Sequence, residues 1–161
     1  MKKRDEIKRH FFNSLTSLVY LTIIVIGVSA YLITNEKLIG PAFILLGFLN
    51  FIIIKIRGVQ LKYILSDLTF GFVDNSIMVF GAIIGAHFGG VVGAIIGGAA
   101  GNTITDGIGG LFEGYVAERQ EASGDKDLKK RMWTGAMGKM TGCLLGAGLT
   151  LSLIALFKFL F

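Results

Sequence analysis

Long apolar runs are the feature that most constrains how this chain can fold. Five segments of about 20 residues or more follow one another, each long enough to cross a bilayer as a helix. We place them at His10–Ile33, Leu38–Ile56, Ile64–Phe88, Gly90–Ala117 and Met132–Phe159. Hydrophobic residues make up 53% of the chain and charged residues only 17%, which excludes an ordinary water-soluble domain of 161 residues. The sequence therefore predicts an all-α integral membrane protein with five transmembrane helices.

The lysines and arginines indicate how these helices are oriented. Thirteen of the 16 lie in three polar segments, MKKRDEIKRH, KIRGVQLK and ERQEASGDKDLKKR, which all fall on the same side of a five-helix arrangement. The positive-inside rule then predicts a cytoplasmic amino terminus and an external carboxyl terminus. Basic residues next to membrane helices are normally topology signals or contacts to anionic lipid. We therefore expect the lipid bilayer as a partner and no nucleic acid.

The distribution of glycine divides the chain in two. Of the 23 glycines, 19 follow Leu61. They form stripes of period four at Gly81, Gly85, Gly89, Gly93, Gly97 and Gly101, and again at Gly138, Gly142 and Gly146. Such stripes let membrane helices approach closely. We predict a basic segment with two peripheral transmembrane helices over residues 1–62, and a glycine-rich three-helix core domain over residues 63–161 that packs into a homodimer.

Polar side chains interrupt the apolar segments of this core. Asp67 and Asp74 fall on one face of the third helix, and Asn102, Asp106 and Glu113 share a face of the fourth. An ionisable group inside a membrane helix is costly without a partner, so it marks a candidate functional site. The third and fourth helices are joined by few residues near His87–Gly90, which makes them antiparallel neighbours. Their polar faces can therefore meet near the middle of the bilayer.

The oxygen atoms of this cluster suit a hard cation. Carboxylate, carboxamide and hydroxyl oxygens are ligands of calcium, sodium and magnesium. We predict a cation-binding metal site formed by Asp74, Asn75, Asn102 and Asp106. We expect a vestibule or a second layer around it, formed by Asp67, Thr105, Glu113 and Lys139.

Two of these residues leave alternatives open. Asn75 follows Asp74 directly, so on an ideal helix it points about 100° away from that carboxylate. It reaches the ion through a local unwinding, or it contacts another helix instead. Lys139 lies on the glycine face of the fifth helix, and its long side chain pairs there with Asp67 or Glu113. An Asp–Asn pair between helices can also be a structural hydrogen bond with no ion.

The strings GFVDNSIM and GNTITDGIGGLFEGYVAE resemble the core of the transmembrane protein 65 family, and the fifth helix, with Gly138-Lys139 and GCLLG, is similar to it as well. The resemblance covers roughly residues 66–155. That family includes a mitochondrial inner-membrane protein implicated in sodium–calcium exchange, as exchanger or as regulator. The resemblance implies that Asp74-Asn75 matches the first motif and that Asn102 and Asp106 match the second, with Glu113 before the GYV string.

Localisation and function follow as expectations. Asp5 and Glu6 argue against an organellar transit peptide, so we expect a bacterial relative in the plasma (inner) membrane. The expected function is a secondary cation transporter, not an enzyme, which exchanges Ca²⁺ for Na⁺ or H⁺ and needs no cofactor. An alternative is a non-transporting interaction or regulatory module held together by its glycine stripes. A lipid-modifying enzyme fits less well, because no nucleotide-binding glycine loop and no nucleophile with a paired base is apparent.

Overall fold

The computed structural model describes residues 2–32, 36–123 and 132–160, and over these ranges the chain is helical without a β-strand. Helix α1 covers Lys2–Leu32, α2 covers Glu36–Ile56, α3 covers Leu65–Ser123 and α4 covers Met132–Leu160, with a 3₁₀ turn at Leu61–Tyr63 before α3. The prediction of an all-α chain is confirmed. In these ranges, four helices are long and apolar enough to cross a membrane.

Helix α3 is a helical hairpin that contains both the third and the fourth predicted spans. Its helical geometry is interrupted at Gly89 (φ −136°, ψ 18°) and Gly90 (φ 56°, ψ −139°). The positive φ of Gly90 is a backbone conformation that glycine adopts without a steric penalty. The chain reverses direction there, where the sequence predicted a turn. We call residues 65–88 the first arm and residues 91–123 the second arm.

The two arms pack backbone against backbone through their glycine stripes. A Cβ atom on Gly85 would overlap the carbonyl oxygen of Gly93, and one on Gly97 would overlap that of Gly81. The Gly85–Gly93 contact lies nearer to the Gly89–Gly90 turn than the Gly81–Gly97 contact does, so the arms are antiparallel. Close approach of this kind is how small residues join helices in lipid. The stripes on the arms therefore join two helical segments of the same chain.

Helix α4 packs against the first arm through its own glycines. A Cβ atom on Gly142 would overlap the carbonyl oxygen of Leu68, and one on Gly146 would overlap that of Phe72. The first arm is consequently held between the second arm and α4. Any polar side chain on its inner faces is enclosed by two neighbouring helices.

Helix α2 packs on another side of α4 and shares a buried polar contact with it. Asn50 is 4% exposed, and its Nδ2 atom donates hydrogen bonds to Thr141 Oγ1 at 2.7 Å and to the Met137 carbonyl oxygen at 3.2 Å. Close to the end of α2, Ile54, Ile64 and Met137 form a buried apolar cluster. Helix α1 contacts α2 and α4. The bundle is therefore arranged around α4.

The hairpin packing predicts the effect of a single methyl group. Gly97→Ala places a Cβ atom on the carbonyl oxygen of Gly81 and forces the arms apart. Overpacking of this kind costs typically ~1–3 kcal/mol, so thermal unfolding in detergent should occur several degrees lower. The matched control is Gly27→Ala on α1, where nothing lies within 4 Å of the new Cβ atom. Equal unfolding temperatures for the two variants would contradict the packing described above.

Candidate functional site

Asp74 lies inside the hairpin, opposite Thr105. The two side chains are 7% and 3% exposed, and the Thr105 hydroxyl donates a hydrogen bond to Oδ1 of Asp74. Thr105 Oγ1 also lies 3.0 Å from the carbonyl oxygen of Gly101 and 3.1 Å from that of Asn102. The antiparallel arms thus bring Asp74, a predicted cation ligand, into direct contact with Thr105, which was predicted to lie around the site.

The Thr105 hydroxyl has three acceptor oxygens within reach. A hydroxyl carries one hydrogen, so Thr105 can donate fully to one acceptor at a time. The Asp74 carboxylate and two backbone carbonyl oxygens compete for it. The two carbonyl oxygens also accept amide hydrogens within the α-helix of the second arm, whereas the buried Asp74 carboxylate creates a negative potential. Such a place favours a positively charged ligand.

The depth of Asp74 also matters to this potential. Asp74 lies nine residues beyond Leu65, the first residue of α3. At ~1.5 Å per residue this is ~14 Å along the helix axis. The hydrocarbon core of a bilayer is ~30 Å thick, so the carboxylate lies close to its middle if α3 begins at the membrane surface. Electrostatic interactions are weakly screened at that depth.

Asn102 and Asp106 pair with each other beside this contact. Asn102 Nδ2 donates a hydrogen bond of 2.8 Å to Asp106 Oδ2, one helical turn further along the second arm. Asn102 is half-buried, whereas Asp106 is exposed on the outer side of the hairpin. Asp106 follows Thr105 directly, so its side chain is turned about 100° from the residue that meets Asp74. The two carboxylates of the predicted site therefore face different directions in the single chain.

Asn75 is directed towards α4. Its half-buried side chain lies on the face of the first arm that packs against α4, where Gly71, one turn earlier, is beside the thiol of Cys143. The first arm is regular α-helix at this position. Of the two alternatives that the sequence left open, the structure has the contact with another helix. The carboxamide of Asn75 thus lies on the α4 side of the first arm, away from Thr105.

Asp67 lies nearer than Asp74 to the start of α3, and Lys139 reaches this part of α3 from α4. Asp67 is 4% exposed and packs beside Gly138, whose added Cβ atom would lie 3.2 Å from the Asp67 Cβ. The Lys139 Nζ atom is 4.2 Å from the centre of the Phe70 ring. Glu113 belongs to α3, but its side chain lies outside the described part of the structure, so its predicted role stays a prediction.

The donor set limits how a cation could be held. Among the side chains that the structure describes, no group of three or more His, Cys, Asp and Glu residues could hold a metal ion together. An ion at Asp74 would be bound largely by neutral hydroxyl, carboxamide and carbonyl oxygens. Ligands of this kind fit calcium or sodium better than zinc or copper.

An open groove leads from the outside of the bundle to the edge of this site. It has a volume of about 600 Å³ and is lined by both arms and by Leu151 of α4. Its lining is apolar apart from Asn102. The groove therefore reaches the Asn102–Asp106 side of the hairpin, and an apolar wall borders that side.

Two side-chain contacts were not predicted from the sequence. Asn50 stood out only as a carboxamide within an apolar span, and its contact with Thr141 joins α2 to α4. Phe70 is one of 13 phenylalanines, and its ring occupies the space where a Cβ atom of Gly109 would lie. The available signal for Phe70 was its position on the same helical face as Asp67 and Asp74.

Comparisons with known proteins return no matching family model, no matching curated protein and no matching solved structure. The resemblance to the transmembrane protein 65 family therefore rests on the sequence strings quoted above and stays a prediction. The assignment of function depends on the geometry of the hairpin.

The contact between Asp74 and Thr105 predicts unequal effects at two threonines of the second arm. Thr105→Val keeps the shape of the side chain but leaves the buried carboxylate without its donor, which typically costs ~1–3 kcal/mol. Thr103→Val is the control, because Thr103 is exposed and its hydroxyl donates to the Ala99 carbonyl oxygen of its own helix. Denaturant unfolding in detergent should show the larger loss for Thr105→Val. Equal losses would contradict the assigned hydrogen bond.

Proposed function

We propose that this protein is a secondary cation transporter that exchanges Ca²⁺ for Na⁺ or H⁺ at the Asp74 site. The observation that carries the proposal is the convergence of the Asp74 carboxylate with the Thr105 hydroxyl and the carbonyl oxygens of Gly101 and Asn102. Calcium takes about 6–8 oxygen ligands in flexible arrangements. The remaining ligands are water and neighbouring side chains.

Each residue of the site has a distinct role in this proposal. Asp74 supplies the central negative charge, and Thr105 supplies an oxygen ligand once its hydrogen turns away from the carboxylate. Asn102 donates an amide hydrogen to Asp106, which leaves its amide oxygen available as an acceptor. Asp106 adds a second charge on that edge. Asn75 supports the first arm from the α4 side.

The burial of Asp74 favours exchange over one-way release. An ionised carboxylate in apolar surroundings is stable only with a positive partner. A departing calcium ion would leave that charge uncompensated. Sodium ions or protons therefore replace calcium at the site, and the two fluxes are coupled. The constant need for a compensating cation distinguishes an exchanger from an open pore.

The membrane arrangement that accompanies this function has five crossings. The apolar part of α3 covers 48 residues, Leu65–Phe112, about twice the ~20 residues that cross a bilayer. In the proposal each arm crosses once and the Gly89–Gly90 turn lies outside. The basic segments are then cytoplasmic, in the plasma membrane of a bacterial cell.

A parallel homodimer completes the proposal, with its two-fold axis along the membrane normal. Asp106 is exposed on the outer side of the second arm, and nothing lies within 4 Å of a Cβ atom added at Gly107 or Gly110. A carboxylate exposed to lipid is costly. Small residues beside it allow a second helix to approach closely. A second copy of the chain would cover this face.

A non-transporting interaction or regulatory module is the second candidate. The observation that favours it is the mutual satisfaction of the polar groups, since Thr105 donates to Asp74 and Asn102 donates to Asp106. In that case one hydrogen bond joins the two arms and the other joins successive helical turns of the second arm. The open Gly107–Gly110 face then binds a partner. Flux measurements separate the two candidates.

Neutral replacements of the two carboxylates test transport directly. Asp74→Asn and Asp106→Asn each remove a charge with little change in shape, so sodium-driven calcium uptake into proteoliposomes should fall by about tenfold or more for Asp74→Asn. The fall for Asp106→Asn should be smaller, because Asp106 is exposed.

The control for this experiment is Glu118→Gln, an exposed carboxylate near the end of the second arm. It should transport as the wild type does. Folding of each variant is checked by size-exclusion chromatography in detergent. Normal uptake by well-folded Asp74→Asn protein would refute transport at this site, and no uptake by the wild-type protein would favour the interaction module.

Five crossings predict that the two termini lie on opposite sides of the membrane, whereas four crossings place them together. Epitope tags at each terminus, tested for protease access in intact and permeabilised cells, measure this directly. The amino-terminal tag should be protected in intact cells and the carboxyl-terminal tag accessible. Tags that behave alike would contradict the crossing of both arms.

A further inference from the structure

We infer that Phe70 is the gate of the Asp74 site on the side of the basic end, closed against Gly109 and covered by the ammonium group of Lys139. The basic end is the end of the bundle that carries Lys55, Arg57 and Lys62. The identity of the permeating ion rests on the proposed function. The closed position of the ring rests on contacts within the hairpin.

The location of Phe70 along the first arm fits this role. Phe70 follows Asp67 by three residues and precedes Asp74 by four, so the three share one face of the helix. Along the axis, the ring's Cα lies ~4.5 Å from that of Asp67 and ~6 Å from that of Asp74. A path along this face from the basic end to Asp74 therefore passes Phe70.

The second arm provides a recess for the ring. Gly109 is buried, and a Cβ atom there would overlap three atoms at the far side of the Phe70 ring, Cδ2, Cε2 and Cζ. Gly109 lies one turn from Thr105, as Phe70 lies one turn from Asp74. The Phe70–Gly109 contact is thus the next contact along the hairpin after Asp74–Thr105, on the side of the basic end. In the proposal, this contact closes the site on that side.

Lys139 places a positive charge over this closure. Its Nζ atom lies 4.2 Å from the centre of the ring, which is within cation–π distance. A cation that approaches from the basic end meets this ammonium group before it meets the Asp74 carboxylate. In the proposal, rotation of the Phe70 and Lys139 side chains opens the gate while the glycine-packed backbones stay in contact.

The chain carries its own reporter for this gate. Cys143 is its single cysteine, is half-buried, and lies beside Gly71, the residue after Phe70. The thiol therefore lies further from the basic end than the Phe70 backbone does, and Cys143 is one helical turn beyond Lys139 on α4. The rate at which a small charged methanethiosulfonate reagent modifies Cys143 from the basic-end side measures how often the gate is open. This measurement needs no transport.

Two variants open the gate by different means. Phe70→Ala removes the ring, and Gly109→Ala fills its recess with a methyl group that displaces the ring's far edge. Each should raise the rate of Cys143 modification from the basic-end side by about tenfold, since truncating or displacing a packed aromatic ring removes the contact that keeps the closed state. Modification from the opposite side should stay at the wild-type rate.

The matched controls are Gly98→Ala and Phe80→Ala. Gly98 is on the same arm, and a new Cβ atom there would make only ordinary contacts of 3.4 Å or more, while Phe80 is on the first arm with 56% of its surface exposed. Both should label at the wild-type rate. Wild-type labelling of well-folded Gly109→Ala protein would overturn the gate, even if Phe70→Ala fails to fold. Labelling that rises equally from both sides, or equally in the Gly98→Ala control, would also overturn it.

The outcomes for the gate and for transport are distinguishable. Faster labelling of Cys143 in Phe70→Ala and Gly109→Ala supports the gate whether or not calcium flux is detected. Loss of flux in Asp74→Asn with unchanged labelling of the two gate variants supports transport and overturns Phe70 as the gate.

Discussion

The close approach of two glycine-lined helices is the constraint on which the polar site depends. Helices that pack through larger side chains lie about 8–10 Å apart. Threonine is short, so its hydroxyl reaches a carboxylate on a neighbouring helix only if the two backbones are close. The contacts of Gly81 with Gly97 and of Gly85 with Gly93 provide that proximity and align the arms. The Asp74–Thr105 hydrogen bond follows from this alignment.

The second requirement is that the first arm has helices on two sides. Helix α4 covers it through Gly142 and Gly146, while the second arm covers it through the hairpin glycines. Asp74 is therefore shielded from the surroundings of the bundle, and its field is weakly screened. Polar groups in such an environment interact more strongly than at a surface. The same enclosure makes any uncompensated charge there unstable, which links the packing of the bundle to the chemistry of the site.

The sequence predicted those parts of the structure that local pattern determines. A carboxylate in an apolar, glycine-rich span is conspicuous, so Asp74 was identified, and the turn was placed near His87–Gly90. The neighbour of each polar face depends on the rotation and register of packed helices, which periodicity alone does not determine. Asn102 and Asp106 illustrate this, because a spacing of four residues allows them to bond each other as readily as another helix.

Residues without an unusual chemical signature were harder to interpret. Phe70 is chemically ordinary in a chain with 13 phenylalanines, and its significance comes from the glycine that happens to face it. Asn50 lies in a span that otherwise reads as lipid-facing, and its partner Thr141 is 91 positions away in the sequence. Contacts between such distant positions become visible once the helices are assembled. The sequence therefore supported the class of fold and the central acid, but not the full set of surrounding contacts.

The regular spacing of the hairpin glycines has a consequence for how uniquely the chain can fold. A surface that repeats every four residues looks nearly the same after a shift of one helical turn, so glycine contacts alone would permit several alignments of almost equal energy. Aperiodic features remove that degeneracy. Phe70 is such a feature, because its bulky ring fits beside Gly109. A shift of one helical turn would remove the ring from this recess, so the contact favours one alignment of the arms over the others.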